Sequence, residues 1–501
     1  MLSVLPAIAI HLGTGNILLL LSVLVLAAIL ISRLGAKYGV PGMLLFLIIG
    51  MLAGPDGLGV EIENHELAEF LGHLGITVII LSGGLQTSLK ETRPVMRRGI
   101  LLSTVGLVVT SLTTGLFIFH VLGDRVGGAG ATLLGCFLMA AVLSSTDSPS
   151  VFSVLRSKRL HLRENLDPVL ELESGSNDPM AYSLTLILVK IITDSGDLSL
   201  KGSSWFVGGA VVFLVLLWQV VAGIGIGFGV GFGARWLMRK IDLHSGPLYS
   251  ILILTLALLA NGLASLIGGN GLMALYVAAI IIGNMRDLPY KKDVGKFFES
   301  ITWLSQLLMF LLLGLLARPS HMPAVLLPAL LIGVFLLFVG RPLGVFISLL
   351  PFRRLSVRAR MYVSWAGMKG AGPILFAMCT VLSGVEGGTE IFNIVFCIAL
   401  LSLLVQGTTL VPVARKLDLC IEDDPEVESF GMEIPEEMGM LRDHVVSEED
   451  LVKGPTLRDL HLPHGIRVVM VRREGKFIVP HGSLELKVGD NLVILMGDTE
   501  D

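Results

Sequence analysis

Residues 171–182 read ELESGSNDPMAY, between LDPVL at 166–170 and SLTLILV at 183–189. Three carboxylates, an asparagine and two serines stand inside a run that otherwise has the apolarity of a membrane helix. Each charge at the centre of such a helix costs about 2.5–3.5 kcal/mol. The acids therefore need partners, water or a guest. Their spacing offers all three. Glu171, Ser174 and Asp178 fall at i, i+3 and i+7, on one helix face. Glu173 and Asn177 fall at i, i+4, on a neighbouring face. One side presents a hydroxyl and a carboxylate; the other suits a fixed hydrogen-bond network.

The rest of the chain supplies the membrane. It has 501 residues, 53% of them apolar, and a mean hydropathy of +0.79. Charged residues make up 16%, against roughly 25% in an ordinary soluble domain. Apolar stretches that approach or exceed the ~20 residues of a bilayer span recur at 17–35, 40–58, 65–85, 99–122, 129–153, 166–193, 204–237, 247–267, 271–286, 297–317, 323–349, 357–383 and 389–413. The expected architecture is an all-α polytopic membrane protein of about thirteen transmembrane helices. The stretch at 204–237 fits one long tilted helix or two short ones. The N-terminal sixteen residues carry no Lys or Arg, so no basic signal-peptide region is expected there.

Basic residues follow every odd-numbered stretch: Arg33 and Lys37, then Lys90, Arg93, Arg97 and Arg98, and so on to Arg353, Arg354, Arg358 and Arg360. The alternate loops are nearly bare of them. Cytoplasmic loops hold the excess of Lys and Arg, so the N-terminus is expected outside and the C-terminus inside, in the cell (inner) membrane. Four cysteines lack metal or disulfide spacing and read as packing residues. His65, His73 and His120 show no ligand spacing either. The chain reads as a transporter and not an enzyme, with the lipid bilayer as partner and no nucleic acid.

After Lys416 the character changes. Residues 1–416 form the expected membrane domain, 417–437 an acidic linker, and 438–501 a small cytoplasmic α/β domain. IRVVMVRR and KFIVP flank REG as a hairpin, and DNLVILMG adds a strand.

Two further motifs bear on the charged helix. In LSSTDSPSVF, Pro149 disfavours helix in the residue before it. A break there frees carbonyls near Thr146 and Asp147, and such breaks build ion sites in transporters where they line a cavity. Arg341 and Lys369 are cations in apolar surroundings. Arg341 needs a carboxylate, and Glu173 faces away from the Ser174/Asp178 side. Lys369 lies before Gly372-Pro373, the signature of a second break. Two broken helices that cross would leave dipole ends facing Asp147 and Lys369.

A hard monovalent cation wants oxygen ligands, and Asp178, Asp147, Ser174 and the carbonyls near Thr146 supply them. Low dielectric favours the protonated form of a carboxyl, and a bound cation favours the ionised form. One carboxylate can then hold either ligand in turn, which is the minimum an antiporter requires. Asn177 in place of a second acid leaves one titrating group there, so one-for-one, electroneutral exchange is the simpler expectation.

These residues resemble the monovalent cation/proton antiporter superfamily, in its NhaP-type branch. The E-S-x-x-N-D pattern stands as Glu173, Ser174, Asn177 and Asp178. The T-D-P-like motif stands as Thr146-Asp147, with Ser148 before Pro149. VPGMLLFLIIGMLAGP at 40–55 looks like the early Pro/Gly helix, and GMKGA at 367–371 has Lys369 where arginine is usual. The resemblance implies a homodimer, inverted repeats with broken crossing helices, and a six-helix core. It implies proton–cation exchange at Asp178, helped by Asp147, Thr146 and Ser174, and a structural network of Glu173, Asn177 and Arg341, with Lys369 at the same site. Residues 451–497 resemble the TrkA-C module of potassium-transport regulators. That favours K⁺ over Na⁺ as cargo and implies a small unidentified regulatory ligand; no other cofactor is expected. The alternatives are a gated cation channel, for which no repeated filter loop is visible, and a potassium-responsive sensor with a transporter-like core. GIGIGFGVGFG at 223–233 lies within an apolar span and reads as close helix packing.

Overall fold

The computed structural model describes residues 14–38, 42–60, 65–123, 132–158, 160–193, 205–422, 441–447, 450–460, 466–473 and 476–496. The chain divides into two compact units, Met1–Ile421 and Glu422–Asp501.

The first unit is helical. It begins with α1 (Thr14–Tyr38), α2 (Gly42–Ala53), α3 (His65–Gln86), α4 (Leu89–Thr92), α5 (Met96–Leu101) and α6 (Leu107–Phe117). There follow α7 (Leu133–Val142), α8 (Ser148–Ser157), α9 (Leu166–Thr193), α10 (Trp205–Lys240), α11 (Gly246–Leu266) and α12 (Gly271–Gly283). The last are α13 (Lys291–Leu316), α14 (Met322–Phe335), α15 (Arg341–Ser348), α16 (Val357–Trp365), α17 (Ala371–Leu382) and α18 (Gly388–Lys416). Two short strands, β1 (Leu160–Leu162) and β2 (Cys420–Glu422), pair with one another. Beside them, Arg163 reaches Asp418 at 3.5 Å.

Among the described residues, each of the thirteen apolar stretches contains α-helix, and α10 is one continuous helix of 36 residues. By length and composition, seven helices among the described residues suffice to cross a membrane; five more are shorter apolar helices. The stretches at 129–153 and 357–383 are each split, into α7 with α8 and α16 with α17.

Both splits have local causes. Pro149 sits in the first turn of α8, where a missing N–H costs nothing. Asp147 caps that turn, accepting from Ser150 N at 3.1 Å and from Ser150 Oγ at 2.6 Å. Pro373 sits likewise in the first turn of α17, behind the non-helical run Gly367–Gly370. A different device operates between α14 and α15. There a π turn at Leu336–Gly340 joins them and resets the register just before Arg341. Such one-turn bulges often mark functional positions.

Close packing around the site uses the smallest residue. A Cβ at Gly367 would stand 2.5 Å from Arg341 Nε, and one at Gly370 would collide with the Asp147 carboxylate. Both positions lie in the connection between α16 and α17, so the sequence run that frees the backbone also lets two charged groups approach it.

The second unit contains β3 (Leu441–Val445), β4 (Ile466–Arg473), β5 (Lys476–Ile478) and β6 (Asn491–Met496), in the order β3-β6-β4-β5. β4 and β5 pair antiparallel as a hairpin, and β4 and β6 pair antiparallel with a bulge between Val468 and Met470. The described helical turns of this unit are 3₁₀, at Asp450–Lys453 and Leu457–Leu460. Val446, Val471, Leu486, Leu492 and Ile494 form its core. Asp490 is 1% exposed and takes a two-pronged bond from Arg473, at 2.8 and 2.6 Å. Burial pushes its carboxyl up, but the Arg473 bonds and the Lys487 amide outweigh that, and the net shift is downward. β3 has no counterpart in the sequence expectations. Most of the acidic linker, residues 423–437, lies outside the described residues.

Candidate functional site

The two connections, Ser145–Asp147 and Gly367–Gly370, meet and hydrogen-bond: Asp147 N donates to Met368 O at 3.0 Å. Lys369 lies in the second connection, 3% exposed. Its Nζ donates to Ser145 O at 2.8 Å, just past the C-terminal end of α7, where a helix carries partial negative charge. The Asp147 carboxylate caps α8 and lies against Gly370 at the start of α17, so it faces two helix N-termini, where anions are favoured. Each charge thus complements the dipole ends that the breaks create.

α9 runs beside this crossing and is stitched to it. Ser174 Oγ donates to Thr146 O at 2.7 Å and accepts from Ser148 N at 3.0 Å. Asn177 Nδ2 donates to Thr146 Oγ1 at 2.6 Å, and its Oδ1 accepts from Thr146 N at 3.4 Å. Ser145 Oγ donates to Asp178 Oδ1. A Cβ on Gly372 would lie 3.8 Å from the same carboxylate oxygen. One turn away, Arg341 Nη2 stands 2.5 Å from Glu173 Oε1, with both side chains buried. The structure therefore brings Thr146, Asp147, Glu173, Ser174, Asn177, Asp178, Arg341 and Lys369 into one cluster. Within it, Ser174 spends its hydroxyl on the α7–α8 connection, and Ser145 holds the place beside Asp178.

Access is narrow. Between Val169 and Ser183 the partly accessible residues of α9 are Glu171, Gly175, Asp178 and Tyr182; every other residue there is buried. Steps of four, three and four keep them in one line on one helix face. Thr87, just past the C-terminal end of α3, donates to Glu171 Oε1 at 2.8 Å at one end of that line. Tyr182 packs against His73 and Phe376 at the other, with ring centroids 5.6 and 5.3 Å away. Asp178 is the carboxylate in the middle. Among the described residues, no group of three or more His, Cys, Asp or Glu is arranged to hold a metal ion.

The sodium/hydrogen exchanger transmembrane family matches residues 20–416, and the TrkA-C domain matches 441–499. The chain belongs to the sodium/hydrogen exchanger family. The exchanger is 32% identical over 486 residues to the K(+)/H(+) antiporter NhaP2 of Shewanella sp. (strain MR-4), covering 95% of this chain and 80% of that one. It is 33% identical over 503 residues to the K(+)/H(+) antiporter NhaP of Alkalimonas amylolytica, covering 97% and 82%. Its fold is similar to that of the sodium proton antiporter MjNhaP1 from Methanocaldococcus jannaschii at pH 8, with a TM-score of 0.65, 22% identity, and coverage of 79% and 97%. The exchanger is accordingly a multi-pass membrane protein.

Sequence reasoning missed four of the exchanger's side chains at this cluster. Ser145 touches Asp178. Ser150 orients Asp147 from the third position after a cap, a spacing that sequence shows. Ser402 accepts from Lys369 N at 2.8 Å and donates to Gln406. Gln406 Nε2 then donates to Trp365 O at 2.6 Å, which satisfies the end of α16. The signal for this pair was two polar residues at i, i+4 inside the apolar LLSLLVQG of α18. Of the cysteines and histidines without ligand spacing, Cys379 Sγ contacts Glu69 Oε1 at 3.4 Å, His120 is exposed, and the side chain of His65 lies outside the described residues.

Proposed function

We propose that this exchanger is an antiporter that trades one monovalent cation, K⁺ in preference to Na⁺, for one proton. Asp178 is the carboxylate the two ligands share; Asp147, Thr146 and Ser174 complete or shape the cation site. Glu173, Asn177, Arg341 and Lys369 hold the crossing in place. The observation that carries this reading is the position of Asp178. It is a partly accessible carboxylate on a buried helix, set where two broken helices meet. A carboxyl there binds a proton well in a dry environment and a cation well when oxygens surround it. The NhaP relatives, named as K(+)/H(+) antiporters, and the TrkA-C match support K⁺. We further propose a homodimer in the cell (inner) membrane, with the N-terminus outside and the tail in the cytoplasm; the loop charges support the orientation.

The test is direct. Protein in sealed vesicles receives a K⁺ or Na⁺ gradient with membrane potential clamped, and a trapped dye reports internal pH. We expect proton movement that follows the cation gradient, saturates with cation, and keeps the same rate when the clamped potential is stepped. Proton movement indifferent to both cations would remove antiport; a rate that changes with the imposed potential would remove one-for-one exchange.

The tail is proposed to bias this exchange by binding a small ligand. Truncation after Glu422 keeps the β1–β2 pairing and removes the strand domain. Vesicles with this variant are expected to retain cation-driven proton movement with a shifted pH profile. A profile superimposable on that of the full chain would sink the regulatory role.

A further inference from the structure

A cavity of about 190 Å³ opens beside the crossing, where Gly367 and Lys369 line it. Leu330 and Val334 of α14, Phe338 of the π turn, and Leu401 and Val405 of α18 wall it. Its outer wall faces away from the protein: Phe338 is 62% exposed and Val334 49%. These are the surfaces a membrane protein gives to lipid. Its inner end is different. Arg341, Lys369 and Gln406 line it, while no Asp or Glu does.

Arg341 is 4% exposed; its Nη2 is held by the Glu173 carboxylate, while its Nε has no hydrogen-bond partner among the described residues. A buried donor left without an acceptor is costly. About 10–15 Å³ of such space holds one water, so 190 Å³ is far more than a single bridging water needs. Apolar walls of this kind stay dry and take apolar matter. The cavity thus combines a lipid-facing apolar channel with a cationic, acceptor-seeking end. A carboxylate matches a guanidinium fork with two parallel hydrogen bonds.

We propose that this cavity binds a single-chain amphipath with a carboxylate head, its acyl chain lying between α14 and α18 and its head on Arg341. The head competes with Glu173 for Arg341. Occupancy therefore loosens the clamp on the crossing and slows exchange. That last consequence rests on the antiport reading, whereas binding does not.

Trp365 lines the same cavity and reports on it. Full-length protein with Trp205, Trp218, Trp236 and Trp303 replaced by phenylalanine is reconstituted in phosphatidylcholine vesicles. Brominated stearate is titrated while Trp365 fluorescence is read. Brominated stearyl alcohol and brominated phosphatidylcholine form parallel arms at equal bromine density. We expect saturable quenching by the carboxylate and roughly tenfold weaker apparent binding of the alcohol, which loses a charge-assisted bond.

Gly333 also lines the cavity, and a Cβ there meets nothing closer than Ile398 at 3.8 Å, so the side chain of Gly333→Leu has room to start and adds its bulk at the cavity wall. It should abolish the saturable component while cation-driven proton movement persists. Val334→Phe, at the mouth, should do the same. Quenching by stearate that merely equals the phosphatidylcholine arm, that is matched by the alcohol, or that survives both filling variants would overturn the proposal. Loss of exchange in the unmodified protein alongside intact saturable quenching would instead count against the antiport reading alone.

Discussion

Vesicles containing Asp178→Asn are expected to show no cation-driven change of internal pH above the leak of protein-free vesicles. The argument is chemical. Asparagine has nearly the shape of aspartate, so it keeps the volume at the foot of α17 and an oxygen for Ser145 to contact. What it lacks is the one property the exchange needs: it neither binds a proton at ordinary pH nor offers a full negative charge to a cation. Both half-reactions fail together, and neither ligand can displace the other. The fold should not suffer. Removing a charge from a largely desolvated position relieves a cost rather than creating one, so the thermal midpoint of the purified variant should equal or exceed that of the parent. These two readouts belong together. An inactive variant with a collapsed midpoint says nothing about chemistry. An inactive variant with an intact midpoint assigns the loss to the carboxyl group. Full proton–cation coupling in a well-folded Asp178→Asn would take this residue out of the mechanism and leave Asp147 as the carboxylate to examine.

How much of this could be read from the chain alone depends on which interactions are local. The prolines acted locally. Pro149 and Pro373 each sit in the first turn of the helix that follows, where a missing N–H costs nothing, and the structure places the non-helical connections just ahead of those turns, at Ser145–Asp147 and Gly367–Gly370. The apolar stretches were legible for the same reason: hydrocarbon demands runs of a certain length, and each stretch became helix. The pairing of Arg341 with Glu173 was legible by elimination, because a buried guanidinium requires an anion. The meeting of the two breaks was not. The bond from Asp147 N to Met368 O joins residues more than two hundred positions apart, and nothing in either segment encodes the other's backbone. The division of labour among serines was also hidden. Helical spacing put Ser174 on the face with Asp178, but the freed carbonyl of Thr146 and the N–H of Ser148 claimed its hydroxyl first. β3 escaped notice because LRDHV carries three polar or charged residues in five; it adds to the edge of β6 and borrows its regularity from that neighbour.

The buried pair of Glu173 and Arg341 should be the most expensive single point in the membrane unit to break. Both side chains are almost wholly enclosed, at 2% and 5% exposure. Desolvating two charges costs several kcal/mol each, and their mutual attraction repays that only while both are present. Glu173→Gln leaves a guanidinium with no counter-charge at 2.5 Å, and removal of one partner of such a pair costs about 3–5 kcal/mol. Arg341→Gln leaves the mirror-image problem at Glu173. Each single variant should therefore lose a large part of its stability, read as a fall in unfolding midpoint on the order of 10 °C or as a shortened half-life at fixed temperature. The double variant Glu173→Gln/Arg341→Gln removes both charges and should recover most of that loss. The recovery is the informative quantity, since two independent sites would add their penalties rather than cancel them. Stability and exchange should also part company there. The double variant regains its fold, yet Asn177 and Ser174, on the same turns of α9, lose the charged clamp that fixes them against Thr146, so its turnover should stay below that of the parent. If the double variant is no more stable than either single one, the two residues do not act as a pair, and the crossing must be held by Lys369 and the serine bonds alone.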